Sequence, residues 1–367
     1  MSDDAQARII QAAHRLIQGR LVAFPTETVY GLGADAENPQ AVARIYAAKR
    51  RPADHPVIVH LAPDADPGYW AARVPHLASR LIAVFWPGPL TLILPRAAHI
   101  PDAVSGGQDS IGLRCPSHPV AQAMLHVFSA LKPHGGGGVA APSANQFGRV
   151  SPTRADHVRA EFPDLDDQAL MILEGGASAV GIESTILDLS RLDQGMPPVL
   201  LRPGHISRVQ LAEVLGELPA LPDAAAPRVS GSLKAHYAPR TPVILADAGS
   251  LADWAGLLRR LRAGLPDRRS APGRDVPAPP PAGEAGSRFA AVVLGAAPGA
   301  APAGLDWVVL PEDPVRYAHR LYAVLRDLDA SGYDGIVLQR PPADPAWQGV
   351  GDRIARAAAA FSSAPGV

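Results

Sequence analysis

Seven polar residues stand at the ends of short apolar runs or in the turns that follow them: Thr26, His60, Arg114, Ser143, Asn145, Ser184 and Arg202. Hydroxyls, an imidazole and guanidinium groups are the side chains that grip anions and small polar molecules. In open α/β sheets, ligands sit outside strand ends. Any one of these positions has a dull explanation. Together, across one predicted sheet, they point to a ligand crevice. Cations beside Ser, Thr and Asn suit a polyanion such as a nucleoside triphosphate.

The stretch from Phe24 to Pro52 concentrates this chemistry. Leu21 to Phe24 reads as a strand, Pro25 to Asp35 as a polar, glycine-bearing loop, and Gln40 to Lys49 as a helix with Val42, Ile45 and Tyr46 at i, i+3, i+4 spacing. Pro52 is expected to stop that helix. Lys49, Arg50 and Arg51 stand at its end. On spacing alone they are helix-end cations, favoured by the dipole by about 0.3–1 kcal/mol. Lysine usage adds weight to Lys49. Of 34 Lys and Arg residues only Lys49, Lys132 and Lys234 are lysines. Arginine serves as the ordinary surface cation here, and a compact ammonium is a different phosphate ligand from a planar guanidinium.

The elements that must position these residues follow in order. Residues 6–18 read as an amphipathic helix, 56–61 as a strand, 75–85 as a helix, 90–94 and 110–114 as strands, and 119–131 as a helix. His134 to Gly138 (HGGGG) reads as a loop insertion; it lacks the Lys-Ser/Thr of a P-loop. Val139 to Asn145 runs a strand into a turn, and Ser151 is a candidate N-cap for the next helix. Strands at 171–173, 185–187 and 199–202 and a helix at 207–216 complete a first domain, 1–216. Residues 217–241 are Pro/Ala-rich and read as a linker. Residues 242–367 read as a second, smaller Rossmann-like α/β domain, with strands at 242–246, 289–294, 307–310 and 335–338 and helices at 250–263, 314–328 and 351–361. Within it, 265–288 is of low complexity and expected to be disordered.

Composition narrows the class. The 367 residues are 47% hydrophobic and 19% charged, enough to bury a core. Net charge is -1, which speaks against a protein built for non-specific nucleic-acid binding. The one cysteine, Cys115, supports neither a disulfide framework nor a cysteine zinc site within the chain. The acidic start MSDDAQARII does not resemble a secretory signal, and no apolar run nears the ~20 residues of a membrane helix. A soluble cytoplasmic protein, monomeric and without a membrane partner, is the expectation.

The segments PTETVYGLG (25–33), KRRP (49–52), WPGPLTLIL (86–94), IGLRCPSHP (111–119), APSAN (141–145), SPT (151–153), GIESTIL (181–187), LLRPG (200–204) and HYAP (236–239), in this order, resemble the YrdC-like family. More narrowly they are similar to its two-domain threonylcarbamoyl-adenylate synthases. The resemblance is dense over roughly 8–240 and implies a twisted, mixed, open sheet of the YrdC-like type. It implies a nucleotidyltransferase that converts L-threonine, bicarbonate and ATP, with Mg²⁺, into threonylcarbamoyl-AMP and pyrophosphate. The product supplies threonylcarbamoyladenosine in tRNA through downstream transfer machinery. By this matching Lys49 and Arg51 are the catalytic pair and bind ATP, joined by Ser110, Ala141, Ser143, Asn145, Ser151, Arg202, His236 and Tyr237. Thr26, His60, Arg114 and Ser184 would hold L-threonine, with Arg114 gripping the carboxylate. No protein residue is implied as a metal ligand.

The linker departs from the family pattern. Ser230-Gly231-Ser232-Leu233-Lys234-Ala235 replaces its usual first half, and only HYAP is kept. That puts closure over ATP in doubt upstream of His236. Two other readings compete with the synthase. Carbamoyl-transfer proteins of hydrogenase maturation carry cysteine-rich zinc modules, which one cysteine cannot build. An RNA-binding YrdC-like protein without adenylate synthesis would use a basic concave surface, which the net charge does not favour.

Overall fold

The structure is a computed structural model that describes residues 2–134, 136–254, 256–257, 259 and 287–361. It divides into two compact units, Met1–Phe147 with Ser151–Ser232, and Gly148–Val150 with Leu233–Val367.

The first unit is built on a nine-stranded mixed sheet. Its strands are β1 (Leu21–Phe24), β2 (Gly31–Asp35), β3 (Ile58–Leu61), β4 (Leu90–Pro95), β5 (Ser110–Arg114), β6 (Gly138–Ala140), β7 (Leu170–Ile172), β8 (Thr185–Asp188) and β9 (Val199–Arg202). They lie in the order β7-β1-β2-β6-β3-β5-β4-β8-β9. Parallel pairs such as β3 with β5 and β4 with β8 are interspersed among antiparallel ones such as β1 with β2. This is the mixed α/β sheet expected.

Alternation along the strands sends two sets of side chains to opposite faces. Ala23, Leu32, Ala140, Val59, Leu113, Leu92 and Leu187 share one core, with Val42 and Ile45 of α2 (Pro39–Lys49), Leu81 of α3 (His76–Phe85), Val104 of α4 (Asp102–Ser105) and Leu211 of α7 (Arg208–Leu215). On the other face Val22, Phe24, Val139 and Ala141 pack under α1 (Asp3–Ile17) and α5 (Pro119–Leu131), against Ile9, Leu16, Met124 and Phe128. Farther along that face Ile58, Ile93 and Ile186 cluster with Val199, Leu201 and Val229. His60 and Arg114 are register partners between these two apolar clusters.

Several local readings are corrected. Residues 31–35, expected within a loop, form strand β2. Its glycines are there for Phe24: a Cβ at Gly33 would come to 2.8 Å from the Phe24 ring and 2.9 Å from Val139. Helix α2, by contrast, ends at Lys49 as expected, and Arg50 after it takes the left-handed conformation (φ 51°). Ser151 caps no helix. The next one, α6 (Ala155–Glu161), starts after Arg154, and Ser151 Oγ donates to Glu183 Oε1 at 2.5 Å. Within HGGGG, Gly136 and Gly138 are fitted to Trp70. The Trp70 indole donates to the Gly136 carbonyl at 2.9 Å, and a Cβ at Gly138 would lie 2.6 Å from both Trp70 and Val59. The start of the expected linker lies on the first unit: Ala220 pairs with Val199, and Val229 joins the isoleucine cluster.

The second unit holds a parallel sheet of β10 (Val243–Ala246), β11 (Phe289–Leu294), β12 (Leu305–Leu310) and β13 (Gly335–Gln339), in the order β10-β13-β11-β12. Helices Pro314–Ala330 and Gln348–Ala359 accompany it. The helix expected at 250–263 begins instead as a 3-10 turn, Ala248–Ala252, and is helical at 254, 256, 257 and 259; the rest of it, and nearly all of the low-complexity stretch 265–288, lie outside the described residues. Among the described residues, no helix is long and apolar enough to cross a membrane.

Candidate active site

The loop between β1 and β2 folds into a hydroxyl relay. Thr26 Oγ1 donates to the Val29 carbonyl at 2.7 Å and accepts from the backbone N–H groups of Thr28 and Val29, so its own loop fixes it. The Thr26 and Thr28 hydroxyls are 2.9 Å apart. Arg114, at the end of β5, donates from Nη1 to Thr28 Oγ1 at 2.9 Å and from Nε to the Gly88 carbonyl at 3.3 Å. Its Nη2 lies 2.7 Å from Glu27 Oε1, and both side chains are buried. Glu27 Oε2 accepts from the Ser117 N–H at 3.1 Å. Thr26 and Arg114, both expected to hold L-threonine, are thus joined through Thr28. Neither Thr28 nor Glu27 was singled out from sequence.

His60 is next to Arg114 in register, and its ring meets Phe24 edge to face at 5.9 Å. Burial, with the nearby Arg114 charge, pushes its pKa down to about 3. It is therefore a neutral imidazole, able to hydrogen-bond without adding charge.

Lys49 ends α2 with its ammonium buried against the turn after β6. Nζ donates to the Ser143 carbonyl at 2.5 Å and to the Asn145 carbonyl. Burial and then the Arg51 charge hold its pKa well below the ordinary lysine value. Ala141 N–H donates to the Ile58 carbonyl at 2.9 Å, fastening the strand that leads into this turn. The lysine therefore braces the turn that presents Ser143 and Asn145.

A second cationic group gathers at Ser184. Its hydroxyl is 2.8 Å from Thr91 Oγ1. Arg202 donates to the Ser184 carbonyl from Nε at 3.1 Å and from Nη2 at 2.9 Å, and to its hydroxyl at 3.1 Å. Arg202 Nη1 also reaches the Ser230 carbonyl at 2.8 Å, while Arg51 Nη1 lies 3.5 Å from Ser230 Oγ. Two arginines from different elements meet at one serine of the linker. Arg228 fixes that segment: its N–H donates to Gln108 Oε1 at 2.8 Å and its carbonyl accepts from Gln108 Nε2 at 3.0 Å. A shallow cleft lies beside it, lined by Ile58, Ser110, Gly112, Ile186 and Ser230 among others.

Thirteen candidate residues were expected at one site besides Ala141, and the structure divides them. Thr26, His60 and Arg114 form one group, Lys49 with Ser143 and Asn145 a second, and Arg51, Ser184 and Arg202 a third that shares Ser230 or Ser184. Ser110 lines the cleft, and Ser151 meets Glu183. His236 and Tyr237 belong to the second unit. There Tyr237 is buried with φ 60°, its ring 5.1 Å from the Arg353 guanidinium. Among the described residues, no group of three or more His, Cys, Asp and Glu side chains is arranged to hold a metal ion.

Comparison with known proteins identifies the class. The family described as "Telomere recombination", which groups Sua5, YciO and YrdC proteins, matches residues 14–204, and the chain belongs to it. The particular branch follows from the remainder: "Threonylcarbamoyl-AMP synthase, C-terminal domain" matches residues 206–359, as in the two-domain synthases. A threonylcarbamoyl-AMP synthase of Pyrococcus abyssi is 41% identical over 241 residues, 64% of this chain and 67% of that protein. One of Bacillus subtilis is 42% identical over 248 residues, 65% of this chain and 67% of that one. The crystal structure of P. abyssi Sua5 complexed with L-threonine matches with a TM-score of 0.77 at 31% identity, over 96% of this chain and 94% of that one.

Proposed function

We propose that the chain condenses L-threonine, bicarbonate and ATP into threonylcarbamoyl-AMP and pyrophosphate, for threonylcarbamoyladenosine formation in tRNA. One observation carries this most: the buried Thr26–Thr28–Arg114 relay stands at the end of β5, while Ser184, held by Arg202, stands at the start of β8 two strands away in the same sheet, and Arg202 and Arg51 both reach Ser230. An amino-acid grip and a cationic cradle belong to the same unit.

The chemistry suits these groups. The threonine amine and bicarbonate give a carbamate and water. A carbamate oxygen then attacks the α-phosphorus of ATP, and the bond to the bridging oxygen breaks as pyrophosphate leaves. Such a displacement depends on in-line positioning and neutralised charge more than on a strong base. Arg114 takes the threonine carboxylate, while Thr26 and neutral His60 take its hydroxyl or the carbamate. Ser184 joins them on the family pattern. Arg51 and Arg202 hold the phosphates, with Ser110, Ser143, Asn145 and Ser151 as hydrogen-bonding partners. Lys49 fixes the Ser143–Asn145 turn and contributes its charge.

Mg²⁺ would arrive on the ATP phosphates, neutralising them. It binds through one or two carboxylates plus phosphate oxygens. Glu183, with Ser151 at 2.5 Å, provides oxygen donors of that kind. His236 and Tyr237 are assigned to ATP on the family pattern. The enzyme is expected to work in the cytoplasm as a monomer, meeting tRNA only through the machinery that consumes its product.

Pyrophosphate release, measured while omitting one substrate at a time, tests this function. Release should require threonine, bicarbonate and ATP together. Undiminished release without threonine or bicarbonate would overturn the proposal.

A further inference from the structure

The ion pair between Glu27 and Arg114 has spare hydrogen-bonding capacity at both ends. A carboxylate offers about four acceptor positions. Glu27 uses two of them, for Arg114 Nη2 at 2.7 Å and the Ser117 N–H at 3.1 Å. A guanidinium carries five N–H donors. Arg114 directs them to Gly88, Thr28 and Glu27. Both side chains are more than nine-tenths buried, Glu27 at 6% and Arg114 at 4% exposure. Each of their polar atoms has one partner, and in so dry a place any further hydrogen bond to the two charges is worth more than in water. Here an acceptor and a donor remain side by side.

Their complement is a ligand with a cation and an anion on neighbouring atoms, which is the zwitterion of an α-amino acid. We infer that Glu27 receives the ammonium of the incoming amino acid while Arg114 receives its carboxylate, so the pair selects amino acids over uncharged-amine analogues and hydroxy acids. The inference rests on the proposal that Arg114 holds the threonine carboxylate. It adds a role for Glu27 that neither the sequence nor that proposal assigns. Charge-assisted hydrogen bonds are roughly twice as strong as neutral ones, so exchanging this carboxylate for an amide should show clearly in affinity.

Glu27 also braces Arg114, and the test must separate bracing from selection. Binding of L-threonine is titrated calorimetrically against binding of the dihydroxy acid in which a hydroxyl replaces the ammonium. Wild type, Glu27→Gln and Arg114→Gln are compared as full chains. The preference of wild type for threonine over the dihydroxy acid should fall by about tenfold or more in Glu27→Gln, through weaker threonine binding. Equal weakening of both ligands, an unchanged preference, or no preference in wild type would overturn the inference. Arg114→Gln should lose both ligands. If it still binds threonine normally, the carboxylate assignment of Arg114 fails separately, and the inference falls with it. Should Glu27→Gln not fold, Glu27→Asp is titrated instead: it keeps the charge on a shorter stem, and the same shift in preference is expected, equal losses being the contrary result.

Discussion

The Lys49 ammonium donates to the Ser143 carbonyl at 2.5 Å, tying the end of helix α2 to the turn after strand β6. The lysine thus has a geometric task as well as a charge. Lys49→Met keeps the stem and removes both. We expect pyrophosphate release to fall by about 100-fold or more, since one preorganised polar group is commonly worth that much. Stability should fall by about 1–3 kcal/mol, from the Ser143 and Asn145 carbonyls left without their donor. Lys49→Arg should not rescue turnover, because a planar fork does not replace a compact ammonium between two carbonyls. Near-normal turnover of either variant would reduce Lys49 to a helix-end cation.

Thr28 connects Thr26 to Arg114 through its hydroxyl. Thr28→Val preserves shape and deletes that link. The KM for threonine should rise roughly fivefold to tenfold, in line with about 1–1.5 kcal/mol for one hydrogen bond, while the KM for ATP stays within about twofold. Steady-state kinetics with each substrate varied in turn checks this. Equal effects on both would mean that the link supports the fold generally.

His60 has its pKa pushed down from the ordinary 6.5 to about 3, so the folded protein binds its proton far less readily than the unfolded chain. Its contribution to stability is present above the unfolded value and is lost as pH falls below it toward the folded one. His55, His118 and His205 are shifted in the same direction, mainly by burial. Melting temperature should therefore drop between about pH 7 and about pH 5, and His60→Asn should drop less steeply over that range. Identical slopes would contradict the burial of a neutral imidazole.

Gly138 faces Trp70 and Val59 at 2.6 Å from where a Cβ would stand. Gly138→Ala should destabilise the protein by about 1–3 kcal/mol through overpacking. Gly148→Ala meets no atom within 4 Å but has φ 80°, so any loss there would come from backbone strain alone. Thermal melts of the two separate packing from conformation. A neutral Gly138→Ala would restore the view of HGGGG as a tolerated insertion.

These contrasts also show which features were legible before the fold was known. Thr26, His60, Arg114, Ser184 and Arg202 announced themselves because apolar strand runs end beside them, and the ordered motifs named the family. Strand β2 was hidden because Gly31 and Gly33 read as loop residues. They belong to a strand because Phe24 lies across them, a tertiary fact without a local signal. Ser151 looked like a helix cap until Glu183, distant in sequence, claimed its hydroxyl. Glu27 and Thr28 sat inside a quoted motif, but nothing in their spacing distinguishes a buried partner of Arg114 from a loop carboxylate and hydroxyl. Ser230 lies in the altered half of the linker, where the family pattern offered no guide, and Arg51 and Arg202 are what give it a place.

The central claim is that one site joins threonine, bicarbonate and ATP covalently. The most direct measurement is mass spectrometry of the nucleotide product formed with isotopically labelled bicarbonate. We predict a threonylcarbamoyl-AMP species that carries the label and appears in step with pyrophosphate, and that is absent when threonine is left out. An adenylate formed without the label, or pyrophosphate released with no threonine-containing nucleotide, would contradict the account.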